Sequence, residues 1–142
     1  MIRQRIVLPR YGGWEIQAYY AVSTYYIDEI MEQLWDIGID AKNAKDAWEN
    51  LSDEKLNTGL CYSNYSKRKT VIVVALTSSA AEALNSITHE IAHCCVHISS
   101  AFNIDHRSEE FAYLVGDVSM EAYPAVKDLL CDCCRNKKDY EH

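Results

Sequence analysis

The chain has 142 residues, of which 49% are hydrophobic and 11% aromatic, a composition that excludes a disordered tail and suits one domain with a real core. Its formal net charge of −7 argues against a nucleic-acid partner, which would favour a basic face. The longest apolar stretch, Val71 to Leu76, is far shorter than the ~20 residues a membrane helix needs, so neither nucleic acid nor membrane is an expected partner.

In chain order, the opening MIRQRIVLPRYGGW lacks the apolar core of a secretory signal. Ile2 to Leu8 and Trp14 to Val22 carry β-formers around Pro9 and Gly12-Gly13, which predicts a hairpin. Tyr26, Ile27, Ile30, Met31, Leu34 and Trp35 fall at helical spacing, with Gly38 as a stop. A second helix is expected over Ala41 to Leu51, with Ala44, Ala47, Trp48 and Leu51 on its apolar side. Leu60 to Tyr65 and Thr70 to Leu76 predict another hairpin, whose second strand is apolar on both faces and belongs inside the sheet. The basic run Lys67-Arg68-Lys69 between them reads as a solvated turn.

After this the apolar period changes to that of a helix. Ser79 and Glu82 have capping-box spacing. Ala83, Leu84, Ile87, Ile91, Cys94, Cys95 and Ile98 then supply the buried side of a helix of roughly five turns. A weakly structured connection is expected over Ser99 to Asp105, followed by a helix starting near Arg107. A last helix is expected over Pro124 to Cys134, with proline in its first turn. The cysteines (Cys61, Cys94, Cys95, Cys131, Cys133 and Cys134) lie largely in neighbouring pairs on expected helices, and read as free thiols in a reducing cytosol.

Residues 89 to 93 read HEIAH. Positions four apart share one helix face, with Cβ atoms about 5–6 Å apart. Two imidazoles so placed can hold one Zn²⁺, each through a nitrogen at roughly 2.0–2.1 Å. Glu90, turned away by one position, reaches a zinc-bound water as general base, the arrangement of H-E-x-x-H zinc hydrolases. A hydrolytic zinc normally has three protein ligands. The longer motif with a third histidine is excluded, because Val96 and Ser99 stand where it needs glycine and histidine. RSEEFAYLVGD offers a carboxylate instead. Glu109 is preferred because Ala112, Tyr113 and Gly116 share its face and small residues there allow close helix approach. Glu110, His106 and Asp117 stay open as alternatives, and either glutamate also suits a helix's first turn for electrostatic reasons alone.

His97 lies roughly 12 Å along the helix from His89, too far to share its ion. It reads as a partly buried histidine or one that contacts substrate. Tyr113 and His106 are candidate donors to a developing oxyanion. Cys131 and Cys134 form a C-x-x-C whose use as a structural zinc site would need Cys94 and Cys95 beside it; buried or helix-end thiols are the plainer reading.

The segment from about Thr58 to Cys134, with NTGLCYSN, TVIVVAL, SITHEIAHCCVHI, SEEFAYLVGD and CDCC, resembles small zincin-like metallopeptidases common in phage and prophage genomes. The resemblance implies a single α+β gluzincin-like (minigluzincin) domain over residues 1–142, with a small, mainly antiparallel sheet packed on the HExxH helix and a following glutamate helix. It implies His89, His93 and Glu109 as ligands of one Zn²⁺ per chain, and Glu90 as the base. The implied activity is hydrolysis of a peptide or protein substrate in a bacterial host's cytoplasm. The first 57 residues lie outside it. Two rival readings remain at this point: a zincin-fold binding protein of weak or no activity that recognises a host protein, and a structural helix with no metal.

Overall fold

The computed structural model describes residues 1–52 and 59–135, so Asn57 and Thr58 of the NTGL stretch lie outside the described residues. Strands β1 (Ile2–Leu8) and β2 (Trp14–Val22) form the expected hairpin, with Ile6 opposite Ile16. Its turn is a short 3₁₀ segment, Pro9–Tyr11, followed by Gly12 and Gly13 at φ +66° and +73°. Side chains rarely adopt that backbone, which explains the glycine pair. Helices α1 (Ile27–Asp36) and α2 (Ala41–Ser52) follow. Then come β3 (Gly59–Asn64) and β4 (Lys69–Ala75), antiparallel to each other.

The four strands make one sheet in the order β1-β2-β4-β3. Its outer pairings are antiparallel, but β2 and β4 run parallel, with Ala18 opposite Ile72. The sheet is therefore mixed. The connection from β2 to β4 passes through α1, α2 and β3, which gives it room for a crossover.

Helices cover both sheet faces. Ile16, Ala18, Tyr20, Ile72 and Val74 form one core with α3 (Ala80–Ala101) and α4 (Glu109–Val126). Tyr19, Val71 and Val73 form the other with α1 and α2. Because side chains alternate along a strand, this two-sided cover explains why β4 is apolar at every position from Val71 to Ala75.

Helix α3 begins where its cap predicts. The Ser79 hydroxyl accepts the Glu82 N–H at 3.1 Å, while the Glu82 carboxylate reaches back to the Ser78 N–H at 3.0 Å. The helix runs through the expected loop to Ala101. In α4, Ser108 caps the start through the Phe111 N–H.

Two expectations are corrected. No helix starts at Pro124, which sits inside α4 near its end; only the short α5 (Asp132–Arg135) follows. Leu114, Val118, Ala122 and Val126 share one apolar stripe, and its burial carries the helix past the proline. Trp35 and Trp48, assigned by spacing to buried stripes, are instead 55% and 53% exposed. No helix of the described residues is long and apolar enough to cross a membrane.

Candidate metal centre

Helix α3 buries Ala83, Ile87, Glu90, Ile91, Cys94, Cys95 and Ile98 and turns His89 and His93 outward. At 3.6 residues per turn these histidines lie one turn apart, on the edge of the buried face. Their Nε2 atoms approach to 3.2 Å. Two nitrogens at roughly 2.0–2.1 Å from one tetrahedral ion would stand about 3.3 Å apart. The pair therefore fits two corners of a zinc site. The same spacing also suits one ring donating to the other when both are neutral.

Glu90 is only 2% exposed. One carboxylate oxygen lies 3.8 Å from His89 Nε2, and the other, Oε2, is buried with no hydrogen-bond partner. Burial pushes this carboxyl up from its ordinary value, against a smaller downward pull from His89. A buried carboxylate with one oxygen 3.8 Å from His89 Nε2 and the other without a partner has the chemistry of a proton acceptor beside the imidazole pair.

Among the described residues, Glu109, Glu110 and Asp117, the carboxylates expected to complete the site, form no three-ligand set with His89 and His93. Burial raises the Tyr11 phenol, opposed by Arg10 and reinforced by Glu110, Asp117 and Cys95. Glu110 and Asp117 are exposed on α4, a helix that packs on α3 and β1. Glu109 is exposed in the first turn of α4, together with Ala112, Tyr113 and Gly116. A Cβ on Gly116 would meet nothing within 4 Å, so that face does not make the close approach expected of it. The packed stripe begins instead at Phe111 and Leu114, because apolar burial decides how the helix is turned. His106 is exposed, its ring tilted against that of Phe111 at 5.3 Å between centroids. Among the described residues, no three His, Cys, Asp or Glu side chains converge as a metal set.

His97 has a partner set that sequence spacing did not reveal. Its Nδ1 lies 2.7 Å from the Ser63 hydroxyl, which lies 2.7 Å from the Thr70 hydroxyl, and the buried Trp14 indole N–H donates to Thr70 at 2.8 Å. The chain of polar groups ties α3 to β3, β4 and β2. Burial first, then the neighbouring His93, lowers the His97 pKa, so the ring is held neutral. Only the alternation of Ser63 and Thr70 toward the α3 face could have signalled it.

Beside this flank runs β3, an edge of the sheet. The Gly59 carbonyl points outward, accepting from the Asn50 side chain at 3.0 Å. The alternation of an antiparallel ladder then directs the backbone N–H and C=O of Cys61 and Ser63 to the same outer edge, where no further strand pairs among the described residues. The Cys131–Cys134 motif does not join Cys94 and Cys95. Asp132 accepts the Ala80 N–H at the start of α3, roughly 20 Å along the helix from Cys94. No protein-family model matches the chain, and comparison with curated proteins and with solved structures finds no match.

Proposed function

We propose that the chain is a zincin-like, zinc-dependent metallopeptidase, with His89 and His93 holding the ion and Glu90 as general base. The observation that carries this reading is the 3.2 Å approach of the two Nε2 atoms above a buried carboxylate whose Oε2 has no partner. Zinc, when bound, supplies a Lewis acid that acidifies a coordinated water and polarises a carbonyl. Glu90 takes a proton on its carboxylate and returns it to the leaving amine. The edge of β3 offers the Cys61 and Ser63 backbone groups to an extended peptide, which would lie as an added strand beside the histidines. Glu109 as third ligand rests on the resemblance, and its place on the exposed face of α4 lends it no support.

The test is metal analysis of protein prepared without added zinc, joined to a survey of new amino termini in a bacterial lysate. About one zinc per chain is expected, together with cleavages that Glu90→Gln abolishes while keeping the metal. A metal-free chain, or cleavage that survives Glu90→Gln, rejects the reading. The absence of a convergent third ligand among the described residues favours a second reading, a binding protein on a zincin-like scaffold. It predicts zinc or none, a stoichiometric uncleaved partner, and indifference to Glu90→Gln.

A further inference from the structure

The sheet face opposite the histidines carries a feature the hydrolase reading does not use. Helices α1 and α2 flank an open groove of about 630 Å³. Met31 and Ala44 are buried at its base, and the indoles of Trp35 and Trp48 line it from the two helices. Two half-exposed tryptophans on one groove are an informative departure from burial, since scattered surface apolar residues are common but large clustered ones mark contact sites. Trp35 and Trp48 also sit where the helical spacing of α1 and α2 assigns core positions. The two helices pack on each other and on the sheet without using them.

The charge at the groove selects its occupant. Asp28 and Glu32 line it, one turn apart on α1, and like charges at that spacing weaken a helix unless something offsets them. Neither has an ion-pair partner among the described residues. Lys45 lines the α2 side as the single cation among the described residues. Asp36 continues the acidic row beyond Trp35, lining a second groove with Glu32. Carboxylates beside indole faces suit guanidinium or ammonium groups, which stack on tryptophan and pair with the acids at once. The groove is open rather than enclosed, so it fits a stretch of side chains from a macromolecule better than a small molecule, which needs most of its surface covered. Tryptophan anchors at the centre of a contact commonly dominate its affinity.

We infer that the α1–α2 groove is a docking site for a basic amphipathic segment of a partner protein, its apolar side chains between Trp35 and Trp48 and its arginines or lysines on Asp28 and Glu32. The inference is independent of the hydrolase reading, because the sheet separates the groove from α3.

The test uses the full chain labelled with ¹⁵N. Its three tryptophans give three indole signals, and Trp14, buried and bonded to Thr70, is an internal control. The probes are a synthetic leucine–arginine amphipathic helical peptide and its leucine–glutamate counterpart. Saturable shifts of the Trp35 and Trp48 signals with the arginine peptide alone are expected, with Trp14 unmoved. Asp28→Asn and Glu32→Gln should each weaken binding about two- to fivefold, the range of exposed ion pairs. Trp35→Ala or Trp48→Ala should weaken it about tenfold or more, with the Trp14 signal confirming an intact fold; the two charge variants decide the matter should a tryptophan variant unfold. Equal binding of both peptides, shifts at Trp14 as well, or charge variants that bind like the parent would overturn the inference. So would concentration-dependent shifts of Trp35 and Trp48 without peptide, which would assign the groove to a second copy of this chain.

Discussion

Thr70→Val is the most informative single change in the polar chain behind the candidate centre. Thr70 is 1% exposed, and its hydroxyl accepts the N–H of Trp14, itself fully buried, at 2.8 Å. Valine matches threonine in shape, so no cavity forms. The indole N–H is then left buried without an acceptor, at a cost of about 1–3 kcal/mol. Ser63 loses one neutral hydrogen bond, about 1 kcal/mol, but keeps His97 at 2.7 Å. Burying a methyl in place of a hydroxyl returns part of this, about 1 kcal/mol. A net loss of about 2 kcal/mol follows, or roughly 8 °C in Tm for a chain of this size. Ser63→Ala leaves the Trp14–Thr70 bond in place and should cost about 1 kcal/mol or less. Urea unfolding of both variants measures the order, with unchanged m values required for the comparison. In the cycle with Trp14→Phe, the coupling should be about 1 kcal/mol. A Thr70→Val variant within about 0.5 kcal/mol of the parent, or coupling near zero, refutes the claim that this chain of groups is a satisfied, energetically linked unit.

Three further outcomes are expected. With no α4 carboxylate forming a three-ligand set with the histidine pair among the described residues, Glu109→Ala, Glu110→Gln and Asp117→Asn should each leave zinc at about one per chain, whereas His93→Ala should lose it; metal analysis showing loss with Glu109→Ala would place α4 at the third corner. Thiol labelling of the native protein should modify Cys131, Cys133 and Cys134 first. The Cys131 pKa is lowered by the Cys134 backbone N–H and thiol, whereas Cys94 and Cys95 are fully buried; rapid modification mapped to Cys94 or Cys95 contradicts the packing. Glu15, Glu29 and Glu82 are held below their ordinary values by hydrogen bonds from Arg5, Arg3 and Ser78 respectively. A depressed folded-state carboxyl stabilises the fold above its unfolded pKa and stops doing so as pH falls through the folded one. The urea midpoint should therefore drop on acidification below about pH 4, and a midpoint that holds or rises there would count against these pairs.

Local signals fixed much of this architecture before any coordinates, where one residue's chemistry has one use. The Gly12-Gly13 turn, the Ser79 cap and the doubly apolar β4 each answer to a single physical demand: a left-handed backbone, an orphan N–H, or cover on both sheet faces. The convergence of His89 and His93 was legible for the same reason, being set by one helical turn. What was not legible depends on how elements rotate against one another. Trp48 shares the stripe of Ala44, Ala47 and Leu51 by spacing, but those three are buried while the indole is left at the groove. The parallel pairing of β2 with β4 joins segments far apart in the chain, which no local period records. Pro124 carries a strong local signal for a helix start, yet the stripe from Leu114 to Val126 outweighs it through burial.

The same rotation decides what α4 can be to the candidate centre. A helix has only one angular position for each residue, and α3 spends its arc from Cys94 through Ile91 to Cys95 on the core. That leaves His89 and His93 on the flank beyond Glu90, next in angle to His97, which pairs with Ser63 of β3. On the proposed hydrolase reading, an extended peptide laid along β3 would approach Glu90 from that side. Glu109 lies outside the stripe of Leu114, Val118 and Ala122 that seats α4 on the core, and turning that stripe outward would cost several kcal/mol in lost apolar burial. Burial therefore makes α4 a buttress of the α3 helix.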